Sequence, residues 1–379
     1  MKITFIEPTP SPNTMKLHLD ESLPKGIQRT YTKENKEMAP EWARRLLEID
    51  GVKSIFRTAD FIALDRVPNG DWEKILTETR IVFGQQEDIP GQSSFQSGSD
   101  DSFGEVKVYV QTFRKIPMQI RVKSDGNEVR KSLPDSFVQA AMEAGMASAN
   151  LIKERKLEDY GIRYGEPEEI AEEVIRELTA AYPEDRLKAL VEKAKEAGLE
   201  GEVIETVQTM TLEEIKEAMN SGDWRVRYGA FEQLKPTEQL LPLIEKALQD
   251  PHTSIRRLAV VYLGDIGGKI VLPYLYRALK DKVPSVRRTA GDTLSDLGDP
   301  DAIEAMAEAL QDSNKIVRWR AARFLYEVGD ERALEALRRA KDDPEFEIRL
   351  QVNMALERIE KGEEAEGTIW QQMTNRRRD

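Results

Sequence analysis

The chain has 379 residues, 40% of them hydrophobic, and its 56 Lys and Arg against 69 Asp and Glu leave a net charge of −13. That length suits two or three domains, and no apolar run approaches the ~18 residues of a membrane-spanning helix. There is no Cys and only two His, His18 and His252, which excludes disulfides, thiolate nucleophiles and Cys-ligated zinc or iron–sulfur clusters, and leaves no His pair for a metal site.

Met1 to Ile6 turns polar within a few residues, without the apolar stretch of a signal peptide, so a cytoplasmic location is expected. Residues 2–7 and 15–19 alternate as two strands joined by a connection holding Pro8, Pro10 and Pro12. Met38, Trp42, Leu46, Leu47 and Ile49 recur at helical spacing over 38–49, and Gly51 stops that helix. Strands over 52–57 and 61–67 form a hairpin, and after Pro68-Asn69-Gly70 a helix begins near Asp71 with Trp72, Ile75, Leu76, Thr79 and Val82 on one face. The expectation is a ββα-ββα-like α+β domain over 1–84.

Residues 85–104 are rich in Gln, Ser, Gly and Asp and read as a linker. A middle α+β domain over 105–210 follows: strands at 105–113 and 118–123, a turn at Ser124-Asp125-Gly126-Asn127, then helices over 134–156, 167–181 and 184–197. Acidity concentrates here, residues 151–210 carrying −7. Glu168-Glu169 and Glu172-Glu173 read as a solvated helix face, because no His partner or Gly-rich loop accompanies them.

From residue 211 the chain repeats. Val226-Arg227, Ile255-Arg256, Val286-Arg287, Val317-Arg318 and Ile348-Arg349 are spaced by 29 and then 31 residues. Eight residues before each aliphatic stands Ala218, Ala247, Ala278, Ala309 or Ala340, and eight after stands Leu234, Leu263, Leu294, Leu325 or Leu356. Apolar residues at 0, +4 and +8 make one buried stripe at helical period, so units 211–361 form a solenoid of helix pairs that bury their faces by stacking. Residues 362–379, ending in Arg376-Arg377-Arg378, read as a tail.

These repeats resemble HEAT repeats of the phycobilisome-lyase-like type, with Asp250, Asp281, Asp312 and Asp343 five residues before the aliphatic and Gly267, Gly298 and Gly329 after the Leu. The Thr9–Lys16 stretch TPSPNTMK, Gly51-Val52, Phe56, Asp60-Phe61-Ile62 and Asp71-Trp72 resemble the N-terminal domain of Nfu/NifU scaffold proteins. Cluster binding in that family belongs to a separate domain with a C-x-x-C motif, so it does not carry over to a chain without Cys. The order of an Nfu-like domain, a middle region with Phe113-Arg114-Lys115-Ile116-Pro117-Met118-Gln119, and HEAT repeats resembles the conserved virulence factor C family. That resemblance implies a cytoplasmic protein that influences virulence-factor expression.

The Asp–Arg columns, Asp250, Arg256, Asp281, Arg287, Asp312, Arg318, Asp343 and Arg349, are expected to pair structurally, the Asp lying in the inter-helix turn and the Arg in the first turn of the second helix. On the second helices Arg257, Arg288 and Trp319, with Arg320 and Arg323, are the candidate partner-binding residues, an exposed cationic cluster beside an aromatic. HEAT-type di-iron hydroxylases need His-Glu pairs on several repeats, and here His252 is followed by Thr253.

The expected function is a non-catalytic cytoplasmic adaptor, without cofactor or metal, that binds a protein partner on the concave face of its repeats. A nucleic-acid-binding protein or base-excision enzyme on a HEAT-like scaffold is one alternative, though the charge of −4 over 211–379 argues against nucleic acid. An accessory role in iron–sulfur cluster assembly is the other.

Overall fold

The computed structural model describes residues 1–363 apart from 10, 25, 68, 69, 86–104, 125, 126, 149 and 199–209. The expected linker beyond Gln85, the tail from 364 onward with its three arginines, and the turn residues Pro10, Pro68, Asn69, Asp125 and Gly126 lie outside the described residues.

In the N-terminal region β1 (Ile3–Pro8), β2 (Thr14–Leu19), β3 (Gln28–Thr32), α1 (Glu41–Glu48), β4 (Val52–Thr58), β5 (Phe61–Arg66) and α2 (Trp72–Val82) follow in order. The strands form an antiparallel sheet in the order β1-β2-β5-β4-β3. Period-two burial sends Met15, Leu17, Leu19, Ile55, Ile62 and Leu64 to one face, where they meet Leu46 and Leu47 of α1 and Trp72, Ile75 and Leu76 of α2. Asp71 caps α2 by accepting from the Glu73 and Lys74 amides. The unforeseen strand β3 carries one buried residue, Tyr31, and is held by its ladder to β4.

The middle region comprises β6 (Glu105–Phe113), β7 (Ile116–Ser124), β8 (Asn127–Ser132), α3 (Asp135–Gly145), β9 (Arg155–Tyr164), α4 (Pro167–Ala181) and α5 (Glu184–Glu196). Its sheet order is β8-β7-β6-β9, with all pairs antiparallel. The helix expected over 134–156 therefore stops at Gly145, and residues 155–164 extend along β6 instead. The β6–β7 hairpin turns on Arg114 and Lys115, both in the left-handed region at φ 47° and 68°. Two non-glycine residues in that conformation need compensation. The buried Arg114 guanidinium supplies it, donating to Glu154 at 2.6 Å, to the carbonyl of Ala194 in the last turn of α5 at 2.5 Å and to that of Gly198 just beyond it at 2.8 Å. This ties down the Phe113–Gln119 stretch.

The repeats follow as the pairs α6 (Leu212–Ala218) and α7 (Trp224–Phe231), α8 (Leu241–Ala247) and α9 (Thr253–Ile266), α10 (Leu272–Ala278) and α11 (Pro284–Leu297), α12 (Ile303–Ala309) and α13 (Lys315–Val328), and α14 (Leu334–Ala340) and α15 (Phe346–Glu360). Ile255, Ala259, Leu263, Val286, Ala290 and Leu294 are fully buried, which is the stripe at 0, +4 and +8. In the first unit Val226 is exposed and α7 ends at Phe231, ahead of Lys235-Pro236-Thr237.

The molecule divides into two compact units. One joins the N-terminal domain to the helix pair from Ala333, and the other spans Gly104–Arg332. In the first, Phe346 and Leu350 of α15 pack on the sheet-and-helix core. There the buried Arg66 donates to Asn13 Oδ1 at 3.2 Å and Gly70 O at 2.8 Å, lies over Trp72, and meets Glu347 at 2.5 Å. Trp72 Nε1 donates to Pro12 O at 2.8 Å, so the Pro-rich turn closes over this centre.

In the second unit α4 crosses α7 closely at Gly229, where an added Cβ would lie 2.2 Å from Ala180 O. Gly229→Val is therefore expected to force these helices apart and to cost about 2 kcal/mol or more, read as a lower denaturant midpoint.

Candidate functional site

Within the Gly104–Arg332 unit, three arginines each pair with the aspartate of the next repeat and not with that of their own. Arg227 Nε and Nη2 grip Asp250 at 2.7 and 2.9 Å, Arg256 grips Asp281 at 2.7 and 3.0 Å, and Arg287 grips Asp312 at 2.6 and 2.7 Å. The third nitrogen of each fork turns back to its own repeat. Arg256, Arg287, Arg318 and Arg349 each donate from Nη1 to the carbonyl of Asp250, Asp281, Asp312 and Asp343, at 2.9, 2.8, 3.0 and 2.8 Å. Each Asp also accepts the amide two residues on, at His252, Val283, Asn314 and Glu345. One carboxylate thus closes its own turn and receives the preceding repeat, a planar match that Lys does not offer. Bonding to the carboxylates raises the Arg227 and Arg287 pKa values.

The cationic cluster expected to be exposed is covered. Arg288, Trp319 and Arg323 are 8%, 1% and 6% exposed, and the side chains of Arg257 and Arg320 retain 14%. Arg257, Arg288 and Arg320 lie against β9 and α4 of the middle region. Arg257 Nη2 stands 3.1 Å from both oxygens of Glu177 in α4, and Arg163 Nη2 of β9 reaches the same carboxylate at 2.8 Å. Arg163 Nη1 also meets Glu173 at 3.0 Å. Arg288 donates to Ile162 O at 3.1 Å, lies 4.1 Å over the Tyr164 ring and pairs with Asp292, while Arg320 meets Asp292 at 2.5 Å. Arg323 pairs with Glu327 at 2.6 Å. The aromatic and cations behind the nucleic-acid alternative are therefore not presented to bases.

Glu177, fully buried, is the centre of this assembly. Burial pushes its pKa up, but the Arg257 and Arg163 guanidiniums outweigh that and hold it down at about 2. Beside it, burial pushes the Tyr160 hydroxyl up to about 12 and raises Tyr228. Desolvation lowers the pKa of Arg288 and Arg323. Of the acidic face expected on α4, Glu168, Glu169 and Glu172 are exposed, whereas Glu173 is half-buried on Arg163. Arg163, Tyr164 and Glu177 were not foreseen as site residues. The one signal was the −7 charge of 151–210 upstream of arginine-bearing helices.

His252 stacks on Trp224 with ring centres 3.8 Å apart, and burial lowers its pKa. His18 stands 2.9 Å from Glu7. Among the described residues no group of three or more His, Asp or Glu is placed to hold a metal, and no helix is long and apolar enough to cross a membrane.

The sequence is 54% identical over 379 residues to the uncharacterized protein YpgR of Bacillus subtilis, covering 100% of this chain and 99% of that one. It is 49% identical over 377 residues to conserved virulence factor C of Staphylococcus aureus strain bovine RF122 / ET3-1, covering 99% of this chain and 100% of that one. The chain belongs to the conserved virulence factor C family. Within it, residues 3–87 match the model of the scaffold protein Nfu/NifU N terminal, 111–191 that of a virulence factor, and 212–294 with 278–357 that of HEAT repeats. The crystal structure of protein SAV1430 from Staphylococcus aureus is 41% identical and covers 22% of this chain and 99% of that chain, with a TM-score of 0.21.

Proposed function

We propose that this member of the conserved virulence factor C family is a non-catalytic scaffold whose HEAT repeats bind a protein partner, with the second-helix face held in cis by the middle region. The observation that supports this is the seat of α4 and β9 on Arg257 and Arg288: the face already receives a folded, acidic element through charge-matched contacts. Buried charge pairs of this kind add little net stability over an apolar contact but discriminate strongly between partners. A partner of the repeats would carry carboxylates placed like Glu173 and Glu177, or would use the face that the middle region leaves open. A role in virulence, as the relatives' name has it, would act through such a partner, in the cytoplasm.

Chemical crosslinking of the full chain in cells, followed by mass spectrometry, tests this. Crosslinks from one specific protein to Lys246, Lys280 and Lys315 of the repeats are expected. No specific protein, or one joined only to the N-terminal domain, would sink the reading.

A further inference from the structure

Not every guanidinium donor around Glu177 has an acceptor. The starts of α4, α11 and α13 border a cleft of about 110 Å3. Arg163, Arg257 and Arg288 converge on it, and among its lining residues Glu173 is the sole carboxylate. Arg257 engages Glu177 through Nη2, and its buried Nε has no hydrogen-bond partner. Arg288, with a side chain 9% exposed, donates through Nε to Asp292 and through Nη2 to Ile162 O at the edge of the cleft. Ser285 and Asn314 complete the wall, in the first turn of α11 and at the cap of α13. Asn314 caps α13 by accepting two amides, whereas the cap position of α11 is Val283, with no side-chain bond. Pro284 opens α11 without an N–H and the Val286 amide donates to Val283 O, so this helix start offers the Ser285 amide and the positive end of the helix dipole.

The buried Arg257 Nε, without an acceptor beside an open cleft, calls for an explanation. A planar carboxylate is matched by one guanidinium fork, whereas guanidiniums from two helices together with a backbone amide suit an acceptor with oxygens in several directions. We propose that this cleft binds a phosphate group, held by Arg257, Arg288 and the Ser285 amide on the repeat side, against the wall that Arg163 and Tyr164 of the middle region supply. Because it touches both, the ligand would tighten the seat of the middle region on the repeats and raise the melting temperature by linkage.

The test is calorimetric titration of the full chain with inorganic phosphate, and separately with phenyl phosphate, at ionic strength held constant with chloride. Saturable binding of one phosphate per chain in the millimolar range or tighter is expected. Binding of both ligands, or of the ester alone, supports the site and shows whether the group arrives free or on a larger molecule. Ser285→Glu puts a carboxylate into the cleft at a helix start that favours it, so this variant should fold normally and lose affinity at least about tenfold. Arg288→Lys, which keeps the charge but not the fork, should also weaken binding. No saturable binding of either ligand to the unmodified chain, or unchanged affinity in both variants, would overturn the proposal.

Discussion

Replacing Glu177 by Ala is expected to lower the stability of the Gly104–Arg332 unit by about 3–5 kcal/mol, since it leaves the guanidiniums of Arg163 and Arg257 buried without their shared counter-ion. The effect should appear as a fall in the denaturant midpoint. Arg257→Met in the same chain should recover part of the loss, because the remaining guanidinium, Arg163, keeps Glu173 as a partner. Glu177 also predicts an acid limb. Its folded pKa of about 2 lies below the ordinary 4.5, so its contribution is complete above pH 4.5 and is lost as pH falls from 4.5 towards 2. In Glu177→Gln that part of the acid sensitivity should vanish. An unchanged acid limb would show that other carboxylates carry it.

The second large effect is expected at Asp281→Ala, at about 2–4 kcal/mol. This single carboxylate accepts two bonds from Arg256 and one from the Val283 amide, and its removal strands a guanidinium whose side chain is 4% exposed. Asp281→Asn keeps the one oxygen that accepts the Val283 amide and Arg256 Nη2, loses the acceptor of Nε, and should cost less. Thermal melts of the three chains rank the contributions, and equal melting of Asp281→Ala and the unmodified chain would refute the structural role of the ladder.

The repeats were legible in the sequence because each position in the 31-residue period has one physical job. Ile255, Val286 and Val317 enter the core, Asp281 and Asp312 close turns, and the period leaves little else to decide. Strands β3 and β9 were not legible for a related reason. Gln28–Thr32 and Arg155–Tyr164 bury almost nothing, so no apolar alternation marks them. β9 is specified by its backbone ladder to β6, which a window of sequence does not contain. The same distance hid the candidate site. Arg257 and Arg288 look like surface cations on an amphipathic helix, and the residues that cover them, Glu177 and Tyr164, stand 80 and 124 positions earlier. Charge complementarity was visible in bulk, but which carboxylate meets which guanidinium depends on how β9 and α4 fold.

The offset pairing of the ladder gives the array a direction and a grammar. The second and third repeats each offer an arginine forward and hold an aspartate for the repeat behind them. At the first unit Ser221 stands where the aspartate would be, and Arg227 uses its carbonyl alone on that side. An inner repeat can therefore be excised or duplicated as a whole 31-residue word and the junction still reads correctly, Arg256 closing on Asp312 as it does on Asp281. Lineages of such chains can change length by whole repeats without passing through a mismatched joint, while the amino end, which has no aspartate to receive another arginine, marks where the count begins.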